Sequence, residues 1–100
     1  MAAMIRHIAM LTLRADTADA AIDRLVSELR ALPGLIAEIT AYEVGVDLRL
    51  VAGNSTVAIV ADFDDADAWT VYRNHPAHVR VLDEIIAPLL DTRTAIQFER

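Results

Sequence analysis

Residues 69–79, Trp-Thr-Val-Tyr-Arg-Asn-His-Pro-Ala-His-Val, decide how the second half of this chain folds. Proline suits the first position of a helix because its missing N–H has no intrahelical partner there. It also pushes the residue before it out of the helical region. The sequence therefore predicts that one helix ends near Asn74 and that another begins at His75 or Pro76.

This helix joint gathers side chains that bind or exchange protons. It holds Trp69, Tyr72, His75 and His78, which include the chain's one tryptophan and two of its three histidines. His78 precedes Leu82 by four residues, so the two share a helix face that we expect to point inward. Imidazole exchanges a proton near neutral pH, and a phenol beside it suits general acid–base chemistry.

Outward from the joint, the apolar pattern predicts four strands and two helical regions. The helices are an amphipathic one, capped by Asp16 or Thr17 and ending at Leu32, and the broken one, which runs from the Asp64-Asp65 pair to about Ala87. Residues 47–55 fit a longer strand or a turn, and residues 1–3 a loose end. The predicted strands cover 4–13, 39–46, 56–63 and 94–99.

The resulting order, β-α-β-β-α-β, predicts a ferredoxin-like α+β fold over one domain, residues 1–100 with a core at about 4–98. Its antiparallel four-stranded sheet carries helices on one face only. In the first strand, His7 shares a face with Ile5 and Ala9, whereas Ile8 and Met10 make the opposite face apolar as well. We therefore expect a second copy of the chain to cover the open sheet face, as a homodimer.

Composition supports this expectation and excludes several classes of function. Hydrophobic residues make up 55% of the chain, a large share for 100 residues. The net charge is −6 and no lysine is present, which argues against a nucleic-acid partner. No cysteine is available for a disulfide or thiolate site, and no apolar run reaches the length of a membrane span. No secretory signal is visible, so the simple prediction is a soluble cytoplasmic protein.

The joint and its surroundings resemble a known family, the stress-responsive A/B barrel domain (Dabb) of the dimeric α+β barrel superfamily. The most specific likeness is Tyr-Arg-Asn-His-Pro-Ala-His at 72–78, preceded by Ala-Asp-Phe-Asp-Asp at 61–65. The segments Ile-Arg-His-Ile-Ala-Met-Leu at 5–11 and Tyr-Glu-Val-Gly at 42–45 are similar to that family's first and second strands. The resemblance implies a sheet-to-sheet homodimer, hence a dimeric α+β barrel.

The resemblance also implies candidate chemistry, because the family includes a plant polyketide cyclase whose catalytic tyrosine and histidine match Tyr72 and His78. By that analogy, His78 removes a proton alpha to a carbonyl, Tyr72 stabilises the oxyanion and His7 orients the substrate. The chain would be a cofactor-independent cyclase or lyase acting on a polyketide-like or phenolic ligand. The cyclase has a further histidine on its third strand, and residues 56–63 contain none.

Two alternatives from other classes stay open: a non-catalytic stress-response or ligand-binding homodimer in which His-Pro-Ala-His is structural, and a heme- or oxygen-active monooxygenase. A connected cavity of about 300 Å3 or more that touches both Tyr72 and His78 would favour ligand chemistry over the structural interpretation.

The remaining candidate residues have competing roles. We assign His7, Trp69 and His75 to ligand binding, although His75 also suits a helix cap and Trp69 a core position. A metal site built on His75 and His78 lacks a third ligand, so we predict no metal and no cofactor. Arginines that could recognise a carboxylate are Arg6, Arg14 and Arg73.

Overall fold

The computed structural model describes residues 3–100, so the predicted loose end lies largely outside the described residues. A 3-10 turn at Leu32–Gly34 follows the first helix, and a π-helical segment at Val81–Ile86 follows the third. No helix in the described part of the chain is long and apolar enough to cross a bilayer. The main elements are β1 (Ile5–Leu13), α1 (Asp19–Arg30), β2 (Ile39–Val46), β3 (Val57–Phe63), α2 (Ala66–Asn74), α3 (Pro76–Arg80) and β4 (Leu90–Glu99).

The four strands form one antiparallel sheet in the order β2-β3-β1-β4, which confirms the predicted ferredoxin-like α+β fold. In β1, Ile8 lies opposite Val60 of β3 and Ile96 of β4. Its neighbour His7 lies opposite Ala61 and Gln97 on the other face of the sheet. The register therefore decides which side chains of β4 can meet those of the helix joint.

The core lies between one face of the sheet and the helices. The amphipathic face of α1 supplies four buried residues at helical spacing, as its sequence predicts. The π-helical segment adds three more, and alternate residues of β1 and β3 complete the layer. The side chains buried most completely are Tyr72, Phe63, Leu11, Leu25, Leu29, Leu32, Ile36, Val57 and Val81.

Three predicted boundaries are wrong. Neither Asp16 nor Thr17 caps α1, because the Thr17 hydroxyl instead donates to the Arg14 carbonyl at 2.6 Å and closes a turn before the helix. The helix ends at Arg30 rather than Leu32, where the chain tightens into the 3-10 turn. β4 begins at Leu90 rather than at residue 94, since pairing with β1 extends along the whole strand.

The helix break falls where the sequence predicts it, but the face of the following segment differs from the prediction. His75 is extended, with φ −64° and ψ 134°, and Pro76 opens α3. Val79 lies three residues before Leu82 and at helical spacing would share its inward face, yet Val79 is 38% exposed, whereas Val81 is buried. The π-helical turns that begin at Val81 bury residues five apart, such as Val81 and Ile86, which a 3.6-residue period does not anticipate.

The opposite face of the sheet, here called the open face, is covered by none of the helices formed by residues 3–100. Met10, Ile96 and Phe98 leave between 42% and 56% of their surface exposed there. The same face holds the buried carboxylate of Asp62, which accepts hydrogen bonds from Arg6 at 2.9 and 3.0 Å and from Arg100 at 2.8 Å. The open face is thus largely apolar, with one ion-paired cluster at its end.

Candidate functional site

A cavity of about 320 Å3 lies where the helix joint faces the inner side of β1 and β4. It touches both Tyr72 and His78, and its volume is above the roughly 300 Å3 that favours ligand chemistry over a purely structural role for these residues. Its walls combine aromatic, apolar and cationic groups and include no carboxylate. The lining residues are His7, Trp69, Tyr72, Arg73, His78, Leu82 and Arg93.

Tyr72, on α2, belongs both to the cavity wall and to the core, with 2% of its surface exposed. Its ring packs 5.0 Å from that of Phe63 and 4.2 Å from that of His78, centroid to centroid. Its hydroxyl lies 3.2 Å from the hydroxyl of Tyr42 on β2. Burial raises the pKa of Tyr72 above its ordinary value, so the phenol keeps its proton at neutral pH.

His78 is fixed in one tautomer by the end of the preceding helix. Its Nδ1–H donates to the Arg73 carbonyl oxygen at 3.1 Å, which leaves the lone pair of the neutral ring on Nε2. Burial lowers the pKa of His78, and the nearby Arg93 lowers it further. A neutral imidazole with a free lone pair is the form that can accept a proton.

His7 has the complementary tautomer. The amide of Gln97 on β4 donates from Nε2 to Nδ1 of His7 at 2.7 Å, so the ring proton of the neutral form is on Nε2. Burial lowers the pKa of His7 to about 4, with a smaller effect of the Arg93 charge. The site therefore pairs one imidazole that donates, His7, with one that accepts, His78.

The two arginines of the cavity lie on opposite walls. Arg73, on α2, places its guanidinium 5.6 Å from the ring centroid of Trp69. Arg93, on β4, lies opposite Leu11 in the register and so belongs to the same face of the sheet as His7. Neither arginine forms an ion pair within residues 3–100.

Four of the five predicted site residues come together: His7, Trp69, Tyr72 and His78. His75 does not line the cavity; its Nδ1 accepts the Ala77 N–H at 3.1 Å and caps α3. Its predicted role in ligand binding stays a prediction.

Sequence reasoning missed Arg93, which lines the cavity, and two residues that contact its lining: Gln97, bonded to His7, and Tyr42, bonded to Tyr72. The sequence feature that could have identified Gln97 and Arg93 is the alternation of side chains between the two faces of β4. Once the register with β1 is known, this alternation places both residues on the same face as His7. The strand predicted at 94–99 began one residue too late to include Arg93. Of the arginines considered for carboxylate recognition, Arg6 lies on the open face and Arg14 follows β1, so only Arg73 reaches this cavity.

A larger hollow of about 580 Å3 lies beneath the β2–β3 loop, away from the helix joint. It is lined mainly by loop residues from 14–19 and 46–56 and contains neither a histidine nor an aromatic side chain. In the described part of the chain, no three His, Asp or Glu side chains cluster in a way that would hold a metal ion. The smaller cavity at the joint is therefore the candidate functional site.

Fold and cavity together define a ferredoxin-like α+β protein with two imidazoles and a phenol in a pocket between sheet and helices. Residues 5–100 match the stress responsive A/B Barrel Domain family, and the chain belongs to that family. This confirms the resemblance drawn from the His-Pro-Ala-His joint. No curated protein matches the chain in a sequence search.

Solved structures extend this comparison. A dimeric ferredoxin-like protein of unknown function from Thermobifida fusca is 38% identical, with a TM-score of 0.90 over 100% of this chain and 93% of that one. A Dabb family protein from Mesorhizobium loti is 21% identical, with a TM-score of 0.83 over 98% and 97% of the two chains. A hydroxynitrile lyase from Passiflora edulis is 16% identical, with a TM-score of 0.86 over 100% and 95%. The last two likenesses concern the fold alone.

Proposed function

We propose that the cavity binds an apolar or phenolic carbonyl compound and catalyses acid–base chemistry at the carbon next to the carbonyl, as in an aldol-type cyclisation. The observation that carries the proposal is the complementary protonation of the three groups. His78 has a free lone pair, His7 has a free N–H, and Tyr72 keeps its phenolic proton. Acid–base chemistry on a carbonyl needs one acceptor and at least one donor in the same pocket.

The proposed reaction begins with proton transfer to Nε2 of His78. The C–H bond alpha to the carbonyl breaks, and its electron pair moves to the carbonyl oxygen to give an enolate. Tyr72 donates a hydrogen bond to that oxyanion, where charge develops. The enolate carbon then bonds to a second carbonyl carbon of the same ligand, and the proton held by His78 passes to the new alkoxide. Protons and electrons balance without a cofactor.

His7 supports this reaction as a donor rather than a base. Its pKa of about 4 keeps the ring neutral at pH 7, and its Nε2–H can bind the second carbonyl of the ligand. Gln97 holds that tautomer through Nδ1. Trp69 and Leu82 supply the apolar walls that an aromatic or polyketide-like ligand needs.

A deuterium-exchange assay tests this proposal without the natural substrate. The probe is 4-hydroxyacetophenone, a phenolic methyl ketone, incubated with the protein in D2O, and 1H NMR follows loss of the methyl signal. We expect exchange on the order of 10-fold or more above buffer for the unmodified protein, and the buffer rate for His78→Gln. His75→Asn is the matched control, since His75 does not line the cavity and the asparagine side-chain oxygen can replace Nδ1 of His75 as the cap of α3. Exchange unaffected by His78→Gln would overturn the proposal.

A second candidate function is a ligand-holding protein without turnover. The observation that favours it is that polar groups of the motif bond within the chain: Tyr72 to Tyr42, and His78 to the Arg73 carbonyl. In that case 4-hydroxyacetophenone would shift the resonances of His7 and His78 in the NMR spectrum, but its methyl protons would exchange at the buffer rate. Ligand that co-purifies with the protein, detected by native mass spectrometry, would identify the compound held.

We further propose that two copies of the chain pair through their open faces. The support is the exposed apolar set Met10, Ile96 and Phe98, together with the description of the 38%-identical Thermobifida fusca protein as dimeric. An exposed apolar sheet face commonly packs against a second sheet, which removes its side chains from water. The cytoplasmic location predicted from the sequence stays a prediction.

A further inference from the structure

We infer that the cavity selects ligands that carry a carboxylate, and that Arg93 is the specificity-determining residue that binds this group. The inference rests on the proposed function, because it names the class of ligand for the same pocket. It adds a residue that the acid–base chemistry does not use. The observations that carry it are the position of Arg93 in the sheet and the charges that line the cavity.

Arg93 enters the cavity from β4, whereas the acid–base groups Tyr72 and His78 enter from the helices. In the register, Arg93 lies four residues before Gln97 on the same strand, and Gln97 bonds to His7. Four residues of strand span about 13 Å. That span separates the two backbones, but the Arg93 side chain shares the cavity with both imidazoles, and its charge lowers the pKa of His7 and of His78. A carboxylate held by Arg93 therefore keeps the rest of the ligand beside the acid–base groups.

The charge balance of the cavity is the reverse of that of the whole chain. The chain has a net charge of −6, yet the cavity lining contains two arginines and no aspartate or glutamate. Its two imidazoles are neutral at pH 7, because burial lowers the pKa of His7 and of His78. The guanidinium groups are therefore the charged groups that a ligand meets, in a pocket whose surroundings repel anions at longer range.

Arg93 and Arg73 are not equivalent. The guanidinium of Arg73 lies over the Trp69 ring, where a cation–π interaction engages it. Arg93 has neither an ion pair nor an aromatic partner among the described residues. A single free guanidinium matches the planar, two-oxygen geometry of a carboxylate, to which it can donate two parallel hydrogen bonds. A phosphate has a third terminal oxygen, which two parallel hydrogen bonds from this guanidinium would leave without a partner.

The test compares two probes that differ only in this group: 4-hydroxybenzoate and its neutral counterpart 4-hydroxybenzamide. Binding is measured by NMR titration at pH 7, with the His7 and His78 ring protons as reporters of the site. We expect the acid to bind on the order of 10-fold more tightly than the amide. Arg93→Gln should remove this preference, and Arg93→Lys should keep part of it. Arg24→Gln, which removes an exposed arginine of α1, should leave the preference unchanged.

The outcomes separate this inference from the proposed function. If acid and amide bind equally, or if Arg93→Gln keeps the preference for the acid, the inference is overturned while the carbonyl pocket stands. If neither probe nor 4-hydroxyacetophenone perturbs the imidazoles, the proposed function falls with it. Phenyl phosphate is a further arm of the titration, and tighter binding of phenyl phosphate than of 4-hydroxybenzoate would overturn the choice of a carboxylate.

Discussion

The phenol ring of Tyr72 lies 4.2 Å from the imidazole of His78, centroid to centroid, with the ring planes inclined by 33°. The contact spans the break between α2 and α3, so the bend at His75 and Pro76 brings the two rings together. On its other side, the Tyr72 hydroxyl meets Tyr42 at 3.2 Å. Tyr72 thus links the core, the second strand and the cavity.

Substituting each tyrosine of this hydrogen-bonded pair in turn separates the effect of the bond on stability from the role of Tyr72 in catalysis. Tyr42→Phe and Tyr72→Phe each remove one half of the same hydrogen bond, so each should lower the free energy of unfolding by about 1 kcal/mol, as urea denaturation would measure. Only Tyr72 lines the cavity. We therefore expect Tyr72→Phe to abolish the exchange of 4-hydroxyacetophenone and Tyr42→Phe to retain most of it. Equal loss in both variants would mean that the pair acts through structure.

His75 gives a prediction about stability alone. Its Nδ1 accepts the Ala77 N–H and caps α3, and loss of a capping side chain typically costs about 1 kcal/mol. We expect His75→Ala to lower the melting temperature by several degrees, and His75→Asn to stay close to the unmodified protein because asparagine also caps. A comparable loss in both variants would show that the imidazole does more than cap the helix.

His7 predicts how stability depends on pH. Its pKa is lowered to about 4 in the folded chain against an ordinary value near 6.5, so between these values the unfolded chain binds a proton that the folded chain does not. The contribution of His7 to the free energy of unfolding is therefore fully present above pH 6.5 and is lost as the pH falls towards 4. His78 shifts in the same direction.

Urea denaturation at pH 7 and pH 4.5 measures this effect. We expect the free energy of unfolding to be lower at pH 4.5 than at pH 7, and His7 to account for about 1–2 kcal/mol of the difference. This figure includes a discount for solvent screening, because the ring borders a cavity. His7→Gln, which keeps a polar side chain opposite Gln97, should show a smaller decrease between the two pH values. Asp62 does not account for this difference. Arg6 lowers the pKa of the Asp62 carboxyl below its ordinary value of 3.8, so the stability that Asp62 contributes is lost only as the pH falls below about 3.8. An identical decrease in the variant would contradict the assignment.

The features of the site that the sequence predicts correctly are those that depend on residues close together in the chain. Pro76 sets the helix break, and the four-residue spacing of His78 and Leu82 sets their common face. The alternation of β1 gives the two faces of that strand, and its His7 face is the one that meets the helices. These features depend on the geometry of one segment at a time.

The rest of the site depends on pairing between distant segments. His7 and Gln97 are 90 residues apart, and Tyr42 and Tyr72 are 30 apart. Their contacts follow from the register of β4 on β1 and from the docking of α2 on the sheet, which no local pattern specifies. Arg93 was missed for the same reason, because the pairing that extends β4 back to Leu90 is a tertiary effect.

The exposed apolar side chains of the open face lead us to expect a dimer that a charge on this face would disrupt. If two copies pair through this face, light scattering should give twice the chain mass of 11.0 kDa. Ile96→Glu would place an unpaired carboxylate in the buried centre of that interface, which costs several kcal/mol, so we expect this variant to be monomeric. Val71→Glu is the matched control: Val71, on α2, is 46% exposed on the helical side, against 56% for Ile96. Both positions tolerate a charge in a single copy, so circular dichroism should show folded chains. A dimer that survives Ile96→Glu, or an unmodified protein of single mass, would refute pairing through the open face.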